Sequence, residues 1–366
     1  MTTTTEAGGE RGPQEFERTL AGAEAGVAVF EEDERTPLKR LQHFLHDYPT
    51  TVPFIVLILG VLIFSALVGG RFFAPFNLSL VLQQVTIIGV VGIAQTLIIL
   101  TAGIDLSVGA IMVFSSIIMA RSAVVWGLPV ELAFPLGLLT GLVCGLINGS
   151  IVTQLKLPPF IVTLGTWSIF GALVLWVSRS ETIRQPDIAA VAPLLQFTGT
   201  RIQIATPWGN APITYGSILM ILLAVLIWYV LNRTAFGRHV YATGDDPDSA
   251  RLAGINTNRT LLAVYGIAGL ICAMGGWVLI GRIGAASPLA GVTTNLDSIT
   301  AVVIGGTSLF GGRGSIVGTL IGALIVGVFR NGLALYGLDN LWQEFAVGVL
   351  IIVAVTLDQW IRRVSQ

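Results

Sequence analysis

The feature that most constrains this chain is a succession of apolar runs, each near the length needed to cross a lipid bilayer, in a sequence only 11% charged. A hydrocarbon core of about 30 Å takes about 20 residues of helix, and inside it every backbone polar group must be satisfied within the segment. On that measure spans fall near Val52–Val68, Leu78–Leu100, Ser107–Ala120, Val130–Val152, Phe160–Val177, Tyr215–Leu231, Leu261–Ile280, Leu296–Phe310, Ser315–Leu335 and Trp342–Leu357, about ten in all. Soluble domains carry about 25% charged residues. The deficit excludes that class and predicts an all-α, polytopic membrane helix bundle. The third and eighth spans are short and rich in Gly or Ser, which marks them as tilted, broken or re-entrant segments.

Basic residues set the orientation. With the N-terminus inside, Arg35, Lys39, Arg40, Lys156, Arg233, Arg238, Arg251, Arg259, Arg313, Arg362 and Arg363 fall on the cytoplasmic side. Fewer fall outside: Arg71, Arg121, Arg179, Arg184, Arg201 and Arg282. The bias favours both termini inside. The expected organisation is a polar N-terminal tail over residues 1–51, a transmembrane domain over 52–358 and a short C-terminal tail over 359–366. The tail lacks the basic-then-apolar order of a secretory signal. Within it Thr36-Pro37 opens an expected amphipathic helix carrying Leu38, Leu41, Leu45 and Tyr48 on one side. The longest outer loop, about Arg179 to Ile213, separates five spans from five. An odd number per half implies an inverted repeat, an architecture common in transporters.

Several chemistries find no support. No basic patch interleaves with aromatics, so nucleic acid is not an expected partner. The three histidines, His43, His46 and His239, lie outside the apolar runs, which argues against an intramembrane metalloenzyme and a Ser-His hydrolase; no metal site and no catalytic residue are expected. Cys144 and Cys272 sit inside apolar runs and read as buried free thiols. The only lysines, Lys39 and Lys156, complete no GxxxxGK[ST] loop. If nucleotide energy drives this protein, a separate chain binds it.

Three local patterns carry structure. Gly137, Gly141, Gly145 and Gly149 recur every four residues in the fourth span, giving one helix face on which another backbone can approach; Gly314, Gly318 and Gly322 repeat the device at the ninth. GIDLSVGAI, residues 103–111, places Asp105 and Ser107 at a turn where the carboxylate meets free N–H groups of a helix start. Asp297, Arg330 and Glu344 are the charges that fall deepest, and a charge at bilayer centre costs about 2.5–3.5 kcal/mol, so each lies near a span end or faces protein or water.

The fourth pattern is the polar stretch Gly237–Ile255, GRHVYATGDDPDSARLAGI, between two spans. A few polar residues suffice to turn a chain around; a stretch this long suggests a surface read from the aqueous phase. Gly244 and Asp245 lead into Asp246, which caps; Pro247 opens; Asp248 suits the positive end of a short helix; and Gly254 closes it. Ala250, Leu252 and Ala253 are expected to form an outward apolar face for docking in a groove on a soluble partner, with Arg251 on the polar side.

GIDLSVGAIM, LPPFIVTLGTW, GRHVYATGDDPDSARLAGI and ITAVVIGGTSLFGGRGSIVGTLIGALIVG, in this order, resemble the membrane subunit of bacterial monosaccharide ATP-binding-cassette importers of the ribose, xylose and fructose type. The resemblance runs from about Pro49 to the C-terminus. The tail segment LQHFLHDYPT, the closing LDQWIRR and the pair Asp245-Asp246 look most like the fructose-type permease; many ribose-type relatives have Gly-Asn at that pair. It implies a multi-pass protein of the inner membrane, a second copy of the permease, a cytosolic ATPase that binds ATP and Mg, and a periplasmic sugar-binding protein. It also implies that Gly237–Ile255 docks on the ATPase. It leaves the pathway open. By residue type alone Gln95, Asn148, Thr163, Trp167 and Asn331 are candidates to meet a sugar's hydroxyls and ring face; packing and interhelical hydrogen bonds are the competing roles. The alternative function is a secondary sugar transporter or channel needing no ATPase, and an integral membrane enzyme is disfavoured because acidic, imidazole and lysine side chains do not cluster at one depth.

Overall fold

The computed structural model describes residues 51–207 and 209–362. The expected amphipathic helix of the tail lies outside them. Thirteen helices occur among the described residues, and we number them in chain order. Five precede the long loop over residues 179–214: α1 (Thr51–Val68), α2 (Pro75–Leu100), α3 (Val108–Val124), α4 (Val130–Gln154) and α5 (Pro159–Ser178). The loop holds α6 (Gln185–Val191), a 3-10 turn over Pro193–Gly199, and strands β1 (Arg201–Thr206) and β2 (Gly209–Thr214). Then come α7 (Tyr215–Arg233), α8 (Ala235–Asp245), α9 (Pro247–Leu252), α10 (Thr257–Ile283), α11 (Thr294–Ile304), α12 (Ile316–Tyr336) and α13 (Asn340–Arg362).

Seven of these are long and apolar enough to cross a membrane: α1, α2, α4, α5, α7, α10 and α12. The third and eighth expected spans correspond to the shorter apolar helices α3 and α11. Of these α11 ends at Ile304, before the expected Phe310, because Gly305 and Gly306 open a turn. Helix α13 continues to Arg362, past the expected domain end at residue 358.

The long loop corrects the all-α expectation. Strands β1 and β2 pair antiparallel, with Arg201 opposite Thr214 and Ile204 opposite Ala211. The loop also packs back on the bundle: the Trp277 indole donates to the Leu194 carbonyl at 3.0 Å, and Thr198 Oγ1 donates to the Trp277 carbonyl at 3.0 Å.

Helix starts follow local chemistry. Proline opens α2 and α5, where its missing N–H costs nothing. Thr214, Thr234, Asn256 and Ser315 cap α7, α8, α10 and α12 with side-chain oxygens. Helices α2 and α10 are largely buried, whereas α1, α5 and α7 turn Phe54, Ile58, Leu62, Ile161, Leu222 and Val225 outward. Such apolar outer faces belong in lipid.

Close backbone approach holds the centre together. A side chain at Gly141 or Gly145 of α4 would run into the Gly269 or Tyr265 carbonyl of α10, and one at Gly149 would come within 3.0 Å of Tyr265 Cβ. Gly137 faces Met119 and the Ser115 carbonyl of α3 instead. On α12, Gly318 abuts the Gly305 carbonyl and Gly322 that of Ala301, while Gly314 stands in the turn ahead of the helix against Thr307, off the helical face. Paired polar groups add to this packing. Asn77 and Asn331 exchange amide hydrogen bonds of 2.9 and 3.0 Å, the Thr96 and Thr319 hydroxyls pair at 2.6 Å, and those of Thr86 and Ser217 at 2.8 Å.

Candidate functional site

The polar stretch folds into two helices with a corner at Asp246. The Asp246 carboxylate accepts from the backbone N–H of Asp248 at 2.9 Å and of Ser249 at 3.1 Å, and from the Ser249 hydroxyl at 2.6 Å. The hydroxyl bond first, then the two N–H bonds, hold its carboxyl below the usual carboxylate range. Pro247 follows at the first helical position. Helix α9 closes where Gly254 N–H donates to the Arg251 carbonyl at 2.9 Å and Ile255 N–H to that of Ala250 at 3.0 Å. Gly254 has φ +84°, a left-handed conformation suited to glycine. Arg251 pairs with Asp248 at 3.0 Å and its Nε donates to Thr257 Oγ1 at 3.0 Å, tying α9 to α10.

One expectation needs correction. Ala250 is buried against the body of the protein, so of the expected trio only Leu252 and Ala253 face outward. The side chain that projects is Leu252, 91% exposed at the end of α9. The surface is an apolar knob flanked by the exposed Asp248–Arg251 pair.

The base of this element is locked to two other parts of the chain. Gly244 lies so close to the end of α2 that a side chain there would overlap the Leu100 carbonyl and come within 2.9 Å of Gly312 N. Gly312 N–H itself donates to the Leu100 carbonyl at 3.0 Å. Asp245 Cα lies 2.9 Å from where a Gly312 side chain would start. The Tyr241 hydroxyl donates to the Gly314 carbonyl at 2.9 Å, and burial raises its pKa, so it keeps that proton at neutral pH. The base of α8–α9 therefore contacts both the end of α2 and the turn between α11 and α12.

Beyond Leu100 the chain runs to a buried polar cluster. Asp105 Oδ1 accepts from the Ser107 backbone N–H and from the Ser107 hydroxyl, each at 2.6 Å, forming the turn expected ahead of α3. Three pathway candidates meet here. The Gln95 amide, in the orientation that satisfies both groups, donates to the Asp105 carbonyl at 3.1 Å and accepts from its N–H at 3.3 Å. Asn148 Nδ2 donates to Ser107 Oγ at 2.8 Å, and Thr163 Oγ1 accepts from Leu106 N–H at 3.2 Å. Gln95, Asn148 and Thr163 are wholly buried, so the cluster fixes the segment between α2 and α3. The structure does not bring the other two candidates to it: Trp167 is 43% exposed on α5, and Asn331 is engaged with Asn77.

The three deep charges form one network that sequence reasoning named but did not join. Arg330 of α12 bridges Asp297 of α11 at 2.7 Å and Glu344 of α13 at 3.0 Å. The interlock of Gly244 with Leu100 and Gly312 was also missed, because its members are far apart in the chain.

A bundle of apolar helices long enough to cross a membrane fits a membrane permease component. The chain belongs to the family described as branched-chain amino acid transport system / permease component, whose pattern matches residues 77–355. It is 57% identical over 352 residues to the fructose import permease protein FrcC of Rhizobium meliloti, covering 96% of this chain and 97% of that one. It is 40% identical over 326 residues to the ribose import permease protein RbsC of Bacillus subtilis, covering 89% and 97%, and 34% identical over 310 residues to the D-allose transport system permease protein AlsC of Escherichia coli, covering 85% and 91%. No solved structure matches.

Proposed function

We propose that this chain is the permease subunit of an ATP-binding-cassette importer that carries a monosaccharide, fructose first among the candidates, across the bacterial inner membrane. Its work is translocation; ATP and Mg are held by a separate cytosolic ATPase that docks on α8–α9. A periplasmic sugar-binding protein delivers the sugar to the outer face, and a second copy of the permease completes the pathway. In this reading ten helical segments, the short α3 and α11 among them, build the membrane domain with both termini inside, as five plus five in inverted repeat. Matching packing in the two halves supports the repeat: α10 lies on α3 and α4, and α2 lies on α11 and α12.

The observation that carries the proposal is the docking element. Leu252 stands clear of the protein on a capped helix, while the same element is interlocked at its base with Leu100 and Gly312. When the ATPases close on ATP, α8–α9 shifts, and the rigid base moves α2 and the α11–α12 turn with it. Such a device serves a protein driven from the aqueous side. A secondary transporter has no use for it. The discriminating experiment reconstitutes the permease with ATPase and binding protein in liposomes and follows fructose and ribose uptake. We expect uptake with ATP on the ATPase side and none from an imposed proton or sodium gradient. Gradient-driven uptake by the permease alone would establish the alternative.

A further inference from the structure

We infer that the junction of α3 and α11 forms a binding site for a neutral monosaccharide, with Asn295 and Trp167 as its principal contacts. This rests on the transport reading above and assigns its site. The first turns of α3 and α11 meet end to end in the protein interior: Gly109 N–H donates to Asn295 Oδ1 at 2.6 Å. These are the two shorter apolar helices among the described residues, and interrupted helices that meet inside a transporter are where substrates are commonly held.

A cavity of about 320 Å³ lies against that junction, within the range of about 300–1,000 Å³ typical of small-molecule sites. Its walls come from α3, α5 and the segment before α11, with Trp167 and Ser168 on one side and Asn295 on the other. Asn295 is 94% buried, by the complement of its 6% exposure. Its oxygen is taken by Gly109; among the described residues its Nδ2 makes no hydrogen bond, which leaves its two N–H donors for a ligand in the cavity it lines. Trp167 offers a partly exposed aromatic face, the usual platform for the C–H side of a sugar ring.

The lining also says what the site does not take. Among the described residues it contains no charged side chain: its polar groups are Asn295, Ser168 and the Trp167 indole, amid Gly, Ala, Val, Leu and Pro. A zwitterionic amino acid would leave its ammonium group unpaired there, at a cost no neutral polyol incurs. In a family described by amino acid transport, this chain's cavity selects uncharged, hydroxyl-rich ligands. Of the five pathway residues expected by type, it keeps Trp167 and adds Asn295 and Ser168.

The test has two arms. In the first, a Ser168→Cys permease in liposomes, without partners, is treated with a thiol reagent in the presence of fructose, ribose or leucine; the native Cys144 and Cys272 are buried. Fructose or ribose at millimolar concentration should slow labelling several-fold, and leucine should not. Equal labelling under all conditions, or protection by leucine, overturns the proposal. In the second arm, Trp167→Ala and Asn295→Asp are assayed in the full complex with saturating loaded binding protein. Asn295→Asp keeps an oxygen for Gly109 N–H and removes the two donors. Sugar moved per ATP hydrolysed should fall about tenfold in each, the equivalent of about 1.4 kcal/mol, with ATP turnover nearly unchanged. Equal losses of uptake and ATP turnover would mark a structural role, and unchanged ratios would place the pathway elsewhere. If the wild-type complex shows no ATP-driven uptake, the importer reading fails, and the labelling arm still decides whether this cavity binds sugar.

Discussion

Replacing Gly244 by alanine tests the interlock on which coupling depends. Helix propensity alone favours the change, since alanine is better than glycine in a helix by about 1 kcal/mol, and Gly244 lies within α8. The structure reverses the sign. The new methyl group would overlap the Leu100 carbonyl and sit 2.9 Å from Gly312 N. Both are backbone atoms, which cannot swing aside as a side chain can. Overpacking of this kind costs about 1–3 kcal/mol, and parting the 3.0 Å bond from Gly312 N–H to the Leu100 carbonyl costs about 1 more. The propensity gain offsets only the smaller part, so a net loss of about 1–3 kcal/mol is expected. Gly348→Ala in α13 is the control, because a side chain there meets nothing within 4 Å. Thermal unfolding of the purified permease in detergent reads both variants. Gly244→Ala should melt several degrees lower and Gly348→Ala no lower than wild type. A Gly244→Ala protein as stable as the control would refute the close approach, and with it the argument that α8–α9 moves as one body with α2.

Three further outcomes follow from the same geometry. Leu252→Asp should leave expression and thermal stability within about 0.5 kcal/mol of wild type, since the side chain is 91% exposed, yet abolish co-purification of the ATPase; intact co-purification would remove Leu252 from the interface. Because the folded pKa of Asp246 lies below its ordinary value of 3.8, its cap is fully present above that value and fades only as pH falls through the depressed folded pKa. ATPase binding by wild type should therefore show no loss of the cap between pH 5 and 8, and Asp246→Ala should weaken binding across that whole range; a pH-dependent loss in wild type within the range would contradict this. Arg330→Met should cost about 3 kcal/mol in thermal stability, because it strands the buried Asp297 carboxylate, and Arg330→Met with Asp297→Asn should recover much of that.

What the sequence made legible was local. Apolar length located the long helices, and Asp246-Pro247 with Gly254 set α9, because each depends on residues within a few positions; the starts of α2 and α5 at Pro75 and Pro159, ahead of the expected Leu78 and Phe160, were not read. The exposure of Leu252 against the burial of Ala250 depends on which side of α9 meets the body, and a six-residue helix has too little periodicity to tell. The hairpin over Arg201–Thr214 had a signal, Ile202 and Ile204 alternating with polar residues before a glycine, but the stretch is short beside the spans around it. Gln95, Asn148 and Thr163 were legible as polar groups in apolar runs; that all three meet the segment from Asp105 to Ser107 was not, since it depends on three helices converging. The same holds for Asp297, Arg330 and Glu344.

The central claim is that α9 faces the cytoplasm and is covered there by an ATPase. Two single variants test it directly: Leu252→Cys on α9, and Ala190→Cys at an exposed position of the outer loop. An impermeant thiol reagent is applied to intact cells and to inverted membrane vesicles carrying each one. The account predicts that the Ala190→Cys protein is labelled in cells and the Leu252→Cys protein only in inverted vesicles. Adding the ATPase to those vesicles should protect the Leu252→Cys thiol, while labelling of the Ala190→Cys protein stays unchanged. Labelling of the Leu252→Cys protein in intact cells, or labelling in inverted vesicles that the ATPase does not alter, would contradict it.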